Sequence, residues 1–308
     1  MNNRIAVMDL GTNTFHLLIA ENVDGSYREL VHLQEPVKLG EGGINKGFIQ
    51  PEAFKRGIKA MEKFGRQIMD SQADKVKCIA TSMLRNAANG QEFIDEVKAK
   101  TGIQIELIDG QQEAAYIYQG VKASGCLSPS NSLIMDIGGG SIEFILCTND
   151  QILWKQSFEI GAARMMDKFH QVDPIPHQNI DELHNYLGQT LPDLFKAVKN
   201  VPIAKLIGSA GAFETFAEVI ELGNNPSFDI RQIKCYDFDL RDFVDATNLI
   251  IRSNHAERAA MKGVIPLRVD MIVTASLITR YVMDKLRIQN VGMSTYSLKE
   301  GVMAGMIS

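Results

Sequence analysis

The chain has 308 residues, enough for two domains with separate cores, and its 45% hydrophobic and 22% charged content excludes a disordered or fibrous protein. A net charge of −5 excludes generic nucleic-acid binding, which needs a basic footprint, although local cations could still meet an anionic substrate. There is no signal-like or membrane-spanning apolar run, and Cys78, Cys126, Cys147 and Cys235 are scattered without a CxxC pair. The cysteines read as buried free thiols, so the expected setting is a reducing one, the cytoplasm, with no membrane partner.

In chain order, residues 5–8 and 15–20 are short, apolar and β-compatible, and Gly11, Thr12 and Asn13 between them are turn formers. This predicts a β-hairpin with Asp9 at the end of its first strand. Taken alone, Asp9 reads equally well as a structural turn carboxylate. A strand is predicted at 28–35, a flexible loop at 38–43 and a helix at 51–70, with Pro51 in its first turn. There follow a strand at 75–80, a helix start at Thr81-Ser82, a helix at 90–100, a strand at 103–108 and a helix at 111–124. The stretch ASGCLSPSNS, 123–132, reads as the surface link between two lobes. Beyond it the pattern predicts a hairpin at 133–147, a strand at 151–159, and helices at 161–169 and 177–199. A strand at 203–207, a Gly-Ser-Ala-Gly turn leading into a helix, and a buried helix at 271–286 follow. The alternation is α/β.

The second hairpin repeats the first. LIMDIGGGSIEFILC again runs apolar strand, Asp136, one residue, Gly138, small polar residues and apolar strand. Self-similarity at domain-length spacing points to two related lobes, whose Asp-led turns could face one another across a cleft. Gly11, Gly138, Gly139 and Gly140 would let backbone N–H groups approach a phosphate, and Thr12, Asn13, Thr14 and Ser141 would add side-chain donors. The carboxylates Asp9 and Asp136 would repel bare phosphate, which argues for an intervening hard cation, Mg²⁺. No GxxxxGK[ST], HExxH or GxSxG signature is present. Asp237, Asp239 and Asp242 lack the glycine and terminal glutamate of a calcium loop and read as helix-capping carboxylates. His16 reads as a packed histidine and stays outside the catalytic set.

MDLGTNTFHLLIA, KLGEG, ATSMLRNAAN, DGQQEAAYIYQGV, MDIGGGSIEF, RVDMIV and MSTYSLKEGV occur in this order along the whole chain. In these motifs the sequence resembles the exopolyphosphatase and guanosine pentaphosphate phosphohydrolase (Ppx/GppA) family of the actin-like superfamily, in its short two-domain form. The resemblance implies two actin-like, ribonuclease H-like lobes with mixed sheets flanked by helices, residues 1–124 and 125–308, and an active site in the inter-lobe cleft. A helix at about 298–308 would pack back on the first lobe.

It further implies that Glu113 is the catalytic glutamate, where a carboxylate must reach the attacking water. Glu143, which period-two alternation places on the face of Ser141, would help hold metal or water. Arg85 would clamp substrate phosphates. The implied reaction is Mg²⁺-dependent hydrolysis of terminal phosphoanhydride bonds of inorganic polyphosphate, the pentaphosphate alarmone pppGpp, or both, by a homodimer. Asp9, Asp136 and Glu143 would be the metal ligands. The turn GSAGAFE lacks the Gly-Gly-Thr that many relatives carry, which leaves nucleotide preference open. Two rivals stand beside this reading: a small-molecule kinase of the same superfamily, and a non-catalytic polyphosphate or alarmone sensor.

Overall fold

The computed structural model describes residues 4–23 and 26–307. The chain packs as two units, one of residues up to Gly120 together with those from Leu298 onward, the other of Val121–Ser297.

In the first unit, β1 (Arg4–Leu10) and β2 (Phe15–Val23) form the expected antiparallel hairpin, and β3 (Ser26–Glu35) adds to β2 with an irregularity at Ile19/Ala20. Helix α1 (Pro51–Asp70) turns Ala53, Gly57, Met61, Phe64 and Ile68 inward, the three-to-four-residue spacing of one apolar stripe, with Pro51 in its first turn. Strand β4 (Lys75–Ala80) pairs in parallel with β1; α2 (Ser82–Asn86) and α3 (Gly90–Thr101) follow. Strand β5 (Ile105–Leu107) pairs in parallel with β4, and α4 (Gly110–Ser124) ends the run. The sheet order is β3-β2-β1-β4-β5. Phe93 anchors α3 in the core with its ring edge-to-face on Phe15 and Phe54, at 6.2 and 5.1 Å.

In the second unit, β6 (Ser132–Ile137), β7 (Ile142–Cys147) and β8 (Ile152–Phe158) form a meander. Every residue of β6 and β7 is buried, so both faces of the sheet are covered there. Next come α5 (Ala162–Phe169), α6 (His177–Thr190), α7 (Pro192–Val198), β9 (Lys205–Ser209) and α8 (Gly211–Asn224). After these lie β10 (Cys235–Phe238), α9 (Leu240–Arg252), α10 (His255–Ala260), α11 (Met271–Leu286) and β11 (Val291–Ser294), giving the order β10-β11-β9-β6-β7-β8. Asp239 caps α9 by accepting from the amides of Arg241 and Asp242, as its reading as a capping carboxylate expects. The last helix, α12 (Leu298–Ile307), returns to the first unit. Two α/β units with mixed sheets flanked by helices are thus the fold class that the resemblance implied, and they keep the α/β alternation read from the sequence.

The structure differs from the sequence reading in four places. The helix expected over 177–199 is two, because Pro192 cannot continue α6 and instead opens α7. The division between units falls inside α4, between Gly120 and Val121, a few residues before the link at 123–132 and the boundary at 124/125 that the sequence reading gave, with the last helix on the first unit. The loop at 38–43, expected to be flexible, is tied to the first Asp-led turn: the amides of Lys38 and Gly40 donate to the carbonyls of Asn13 (2.8 Å) and Thr12 (3.1 Å). Finally, Cys126 and Cys235 form a disulfide, with Cα atoms 5.6 Å apart, and only Cys78 and Cys147 are buried free thiols. The argument from four free thiols to a reducing compartment therefore loses its premise. No helix among the described residues is long and apolar enough to cross a membrane.

Candidate active site

Each unit carries its own set of candidate residues. In the first, β1 delivers Asp9 opposite His16 of β2, one residue before the turn. The turn closes by Gly11 N–H donating to Thr14 carbonyl at 3.1 Å. A side chain on Gly11 would put its Cβ 3.0 Å from that carbonyl, which is why glycine stands there. Thr12 is buried beneath the 38–43 loop that its carbonyl anchors. On the adjacent strand β4, in register with Met8, the Cys78 thiol is pushed well above its ordinary value by burial first and then by the Asp9 charge, so it stays protonated and inert.

On the same unit, Arg85 in the last turn of α2 donates from Nη1 to Glu113 Oε2 at 3.0 Å and to Ile108 carbonyl at 2.9 Å. Glu113, in the first turn of α4, is only 6% exposed. The structure thus makes an ion pair of the two residues that the sequence reading gave separate roles, general base and phosphate clamp. A buried carboxylate needs such a partner, since leaving either charge alone in the interior costs several kcal/mol.

The second unit repeats the turn atom for atom: Gly138 N–H donates to Ser141 carbonyl at 3.1 Å, and a Cβ on Gly138 would again lie 3.0 Å from the acceptor. The loop carbonyls point into the N-terminus of α5. Gly138 accepts from Ala162 (2.9 Å), Gly139 from Ala163 (3.0 Å) and Arg164 (3.1 Å), and Gly140 from Gly161 (3.0 Å). Arg164 Nε adds a bond to Gly140 carbonyl at 3.0 Å. With the carbonyls so engaged, the amides of Gly139, Gly140 and Ser141 donate to no atom among the described residues, the arrangement of an anion-binding nest.

Asp136, one residue before the end of β6, lies directly opposite Glu143 of β7, so the two carboxylates share a sheet face. Both are buried. Asp136 Oδ2 accepts from the hydroxyls of Ser209 and Ser297, the latter at 2.6 Å, and Glu143 Oε1 accepts from Ser157 Oγ at 2.6 Å. These three serines are site residues that the sequence reading missed. Ser209 pairs with Asp136 in the parallel β6–β9 ladder, a neighbour that only topology creates.

The turn after β9 is unusual. Ala210 holds φ 64° and ψ 178°, a region normally left to glycine, and the guanidinium of Arg268 lies over Gly211 where a Cβ would fall 2.1 Å from it. Arg268 is held there by Glu214 Oε2 (2.9 Å) and Thr215 Oγ1 (3.0 Å).

No group of three or more His, Cys, Asp or Glu side chains among the described residues forms a ready-made metal cluster. The chemistry of the donors nonetheless fits Mg²⁺, which takes hard oxygens, one or two carboxylates and the balance from substrate and water. Asp136 and Glu143, oxygen donors in direct register, are such a pair.

The model of the Ppx/GppA phosphatase family matches residues 18–308, which include Arg85, Glu113 and the entire Asp136 turn, and begins just after the first turn. The crystal structure of an exopolyphosphatase from Cytophaga hutchinsonii is 39% identical with a TM-score of 0.95, covering 99% of this chain and 97% of that one. A Haemophilus influenzae protein described as a candidate exopolyphosphatase is 29% identical over 298 residues, 97% of this chain and 90% of its own length. The Aquifex aeolicus Ppx/GppA structure, at 22% identity and a TM-score of 0.81, covers 99% of this chain and 97% of that one and shares the fold. With a family match over residues 18–308, the chain belongs to the Ppx/GppA phosphatase family.

Proposed function

We propose that this phosphatase-family chain is a Mg²⁺-dependent exopolyphosphatase, releasing terminal phosphate from inorganic polyphosphate. The observation that carries the reading is the repeated Asp-x-Gly turn, closed in both units by the same 3.1 Å bond. In the second unit the amides of Gly139, Gly140 and Ser141, which donate to no atom among the described residues, suit a ligand that presents several phosphates in a row. The 39% identity to an exopolyphosphatase over 99% of the chain supports polyphosphate as that ligand.

In this mechanism the turn amides and hydroxyls, Thr12, Asn13, Thr14 and Ser141 among them, hold phosphoryl oxygens. Asp9, Asp136 and Glu143 would hold Mg²⁺, which supplies charge neutralisation at those oxygens when bound. Arg85, paired with Glu113 at 3.0 Å, has a more highly charged partner once a terminal phosphoryl is seated. Transfer of its guanidinium to that phosphoryl releases the Glu113 carboxylate to orient water and take its proton. Phosphoryl transfer requires little more than positioning and charge compensation, and no covalent nucleophile is needed.

The test is phosphate release by purified protein with Mg²⁺ on long polyphosphate, short polyphosphate, pppGpp and ATP, with Glu113→Gln as control. Release from polyphosphate that vanishes in the variant supports the proposal. Release from pppGpp alone would reassign the substrate. Release of ADP from ATP only when a small acceptor is added would make the chain a kinase. Tight polyphosphate binding with no turnover would make it a sensor.

A further inference from the structure

The Cys126–Cys235 disulfide is placed where it bears on the Asp136 carboxylate, and every step of the connection lies in the second unit. Cys235 opens β10, the edge strand, and faces Ser294 across the β10–β11 ladder. The residues just before it are the supports of the segment that follows β11. Ile233 carbonyl accepts from Thr295 Oγ1 at 2.9 Å, and Lys234 carbonyl accepts from Thr295 N–H at 3.0 Å. The segment is then folded on itself: Ser294 Oγ donates to Tyr296 carbonyl at 2.8 Å and accepts from Tyr296 N–H at 3.1 Å. The next residue is Ser297, whose hydroxyl donates to Asp136 Oδ2 at 2.6 Å.

We infer that Ser297 is a positioning residue for Asp136 and that the Cys126–Cys235 disulfide is a site of reversible thiol modification that fixes where Ser297 stands. Three observations favour this over a merely structural crosslink. Cys235 is exposed and Cys126 partly so, so a small thiol can reach the bond. β10 has only four residues and one neighbouring strand, so its first residue is held by Ser294 on one side and by the disulfide on the other. The hydroxyl at the end of the path touches the carboxylate whose placement sets the geometry of the second turn.

The chemistry is thiol–disulfide exchange with a low-molecular-weight thiol as co-reactant. One thiolate attacks a cysteine sulfur, forming a mixed disulfide and expelling the other cysteine as thiolate. A second thiolate then attacks the mixed disulfide at the small-molecule sulfur and releases the small disulfide. The protein disulfide gains two electrons and two protons, and two small thiols are oxidised to one disulfide.

The activity arm of the test rests on the proposed exopolyphosphatase reading; the second arm does not. Oxidised and dithiothreitol-reduced wild type are compared by hydrogen exchange over residues 291–300, with mass spectrometry confirming the state of the bond. Reduction is expected to speed exchange at the Thr295 and Tyr296 amides and leave β6 and β7 unchanged. In the activity arm, Ser297→Ala should lower kcat/KM about tenfold, as loss of an outer partner of a metal-site carboxylate does, and Ser297→Thr should restore much of it. Reduction should lower wild-type kcat/KM several-fold, reversibly on adding glutathione disulfide, and leave Ser297→Ala no slower than it already is. The Cys126→Ala/Cys235→Ala double variant should match the reduced protein in both arms.

Unchanged exchange at Thr295 and Tyr296 on reduction, or absence of the disulfide from oxidised protein, would overturn the inference. An inactive but folded wild type would sink the functional reading alone, and the exchange arm would still decide this one.

Discussion

Arg85 and Glu113 are 28 residues apart in sequence, and their side chains meet at 3.0 Å, with Arg85 also fixed to the Ile108 carbonyl. The pairing ties the proposed base and the proposed phosphate clamp to one another. Glu113→Gln keeps the shape and removes proton-accepting power, so turnover should fall by about 10²–10⁴ while metal-dependent polyphosphate binding is retained. Arg85→Ala should instead lower kcat and raise KM together. The double variant should lose less than the sum of the two free-energy penalties, as residues acting as a unit do. Steady-state kinetics on the four proteins, with binding by calorimetry, decides it. Strict additivity would mean that the pair is structural only.

The close approach of α5 to the second turn yields another prediction. A Cβ on Gly161 would fall 2.5 Å from backbone atoms of both Gly139 and Gly140, so Gly161→Ala must push the turn away from α5. The variant should lose about 1–3 kcal/mol of stability by overpacking. Its kcat/KM should fall by more than about tenfold because the turn amides move away from the phosphoryl oxygens to which they would donate. Gly223→Ala, in α8, is the control: an added methyl there meets nothing within 4 Å, so neither quantity should drop. Thermal melts beside phosphate-release assays separate the two effects.

These two cases also mark what the sequence makes legible. The Asp9 and Asp136 hairpins are local patterns, an apolar alternation broken by glycine and hydroxyl residues, and they are found where the periodicity puts them. The roles of Arg85 and Glu113 could be carried over from a resemblance, but their contact could not, since it depends on how α2 and α4 pack. Ser209 and Ser297 reach Asp136 from 73 and 161 positions away, through parallel pairing and the turn after β11, and neither stands in a motif that marks it. The disulfide spans 109 positions, and scattered cysteines carry no pairing information of their own. Strand β10 escaped notice because CYDF is short, carries an acidic residue and lies on a sheet edge, where alternation is weak.

Within the first unit, Gly301 lets α12 lie directly on the backbone of α4: a Cβ there would sit 1.8 Å from the Tyr116 carbonyl. No rotamer change relieves a clash with backbone. Gly301→Ala should therefore cost about 3 kcal/mol, the upper end of overpacking penalties, and expose the C-terminal helix to protease. Because α4 also carries Glu113, phosphate release should fall with it. Gly305→Ala, whose added methyl meets nothing within 4 Å, should be neutral or slightly stabilising through helix propensity. Limited proteolysis followed by mass spectrometry reads the difference. Equal resistance of the two variants would show that α12 is not seated as described.

The second unit contains a fully buried cation, Arg258, whose nearer partner is the Asp173 carboxylate. Arg258 is 0% exposed; its Nη2 lies 2.9 Å from Asp173 and 3.4 Å from Asp270, while Nε donates to Val269 carbonyl at 2.6 Å and Nη1 to Ser253 carbonyl. Burial pulls the Asp173 carboxyl upward, but hydrogen bonds from Arg258, His170 and the His255 amide outweigh it and hold the carboxyl below its ordinary 3.8. A depressed carboxylate stabilises the fold above its unfolded value and loses that contribution as pH falls through the folded one. Asp173→Asn should thus cost about 3 kcal/mol at neutral pH, since it leaves a buried guanidinium short of its nearer counter-charge. The gap between wild type and variant should hold down to about pH 5 and close below the ordinary carboxylate value of 3.8, where the wild-type carboxyl also takes up a proton. Denaturant unfolding from pH 8 to pH 3 measures it. A gap that stays constant across that range would mean that Asp173 acts on Arg258 through shape rather than charge.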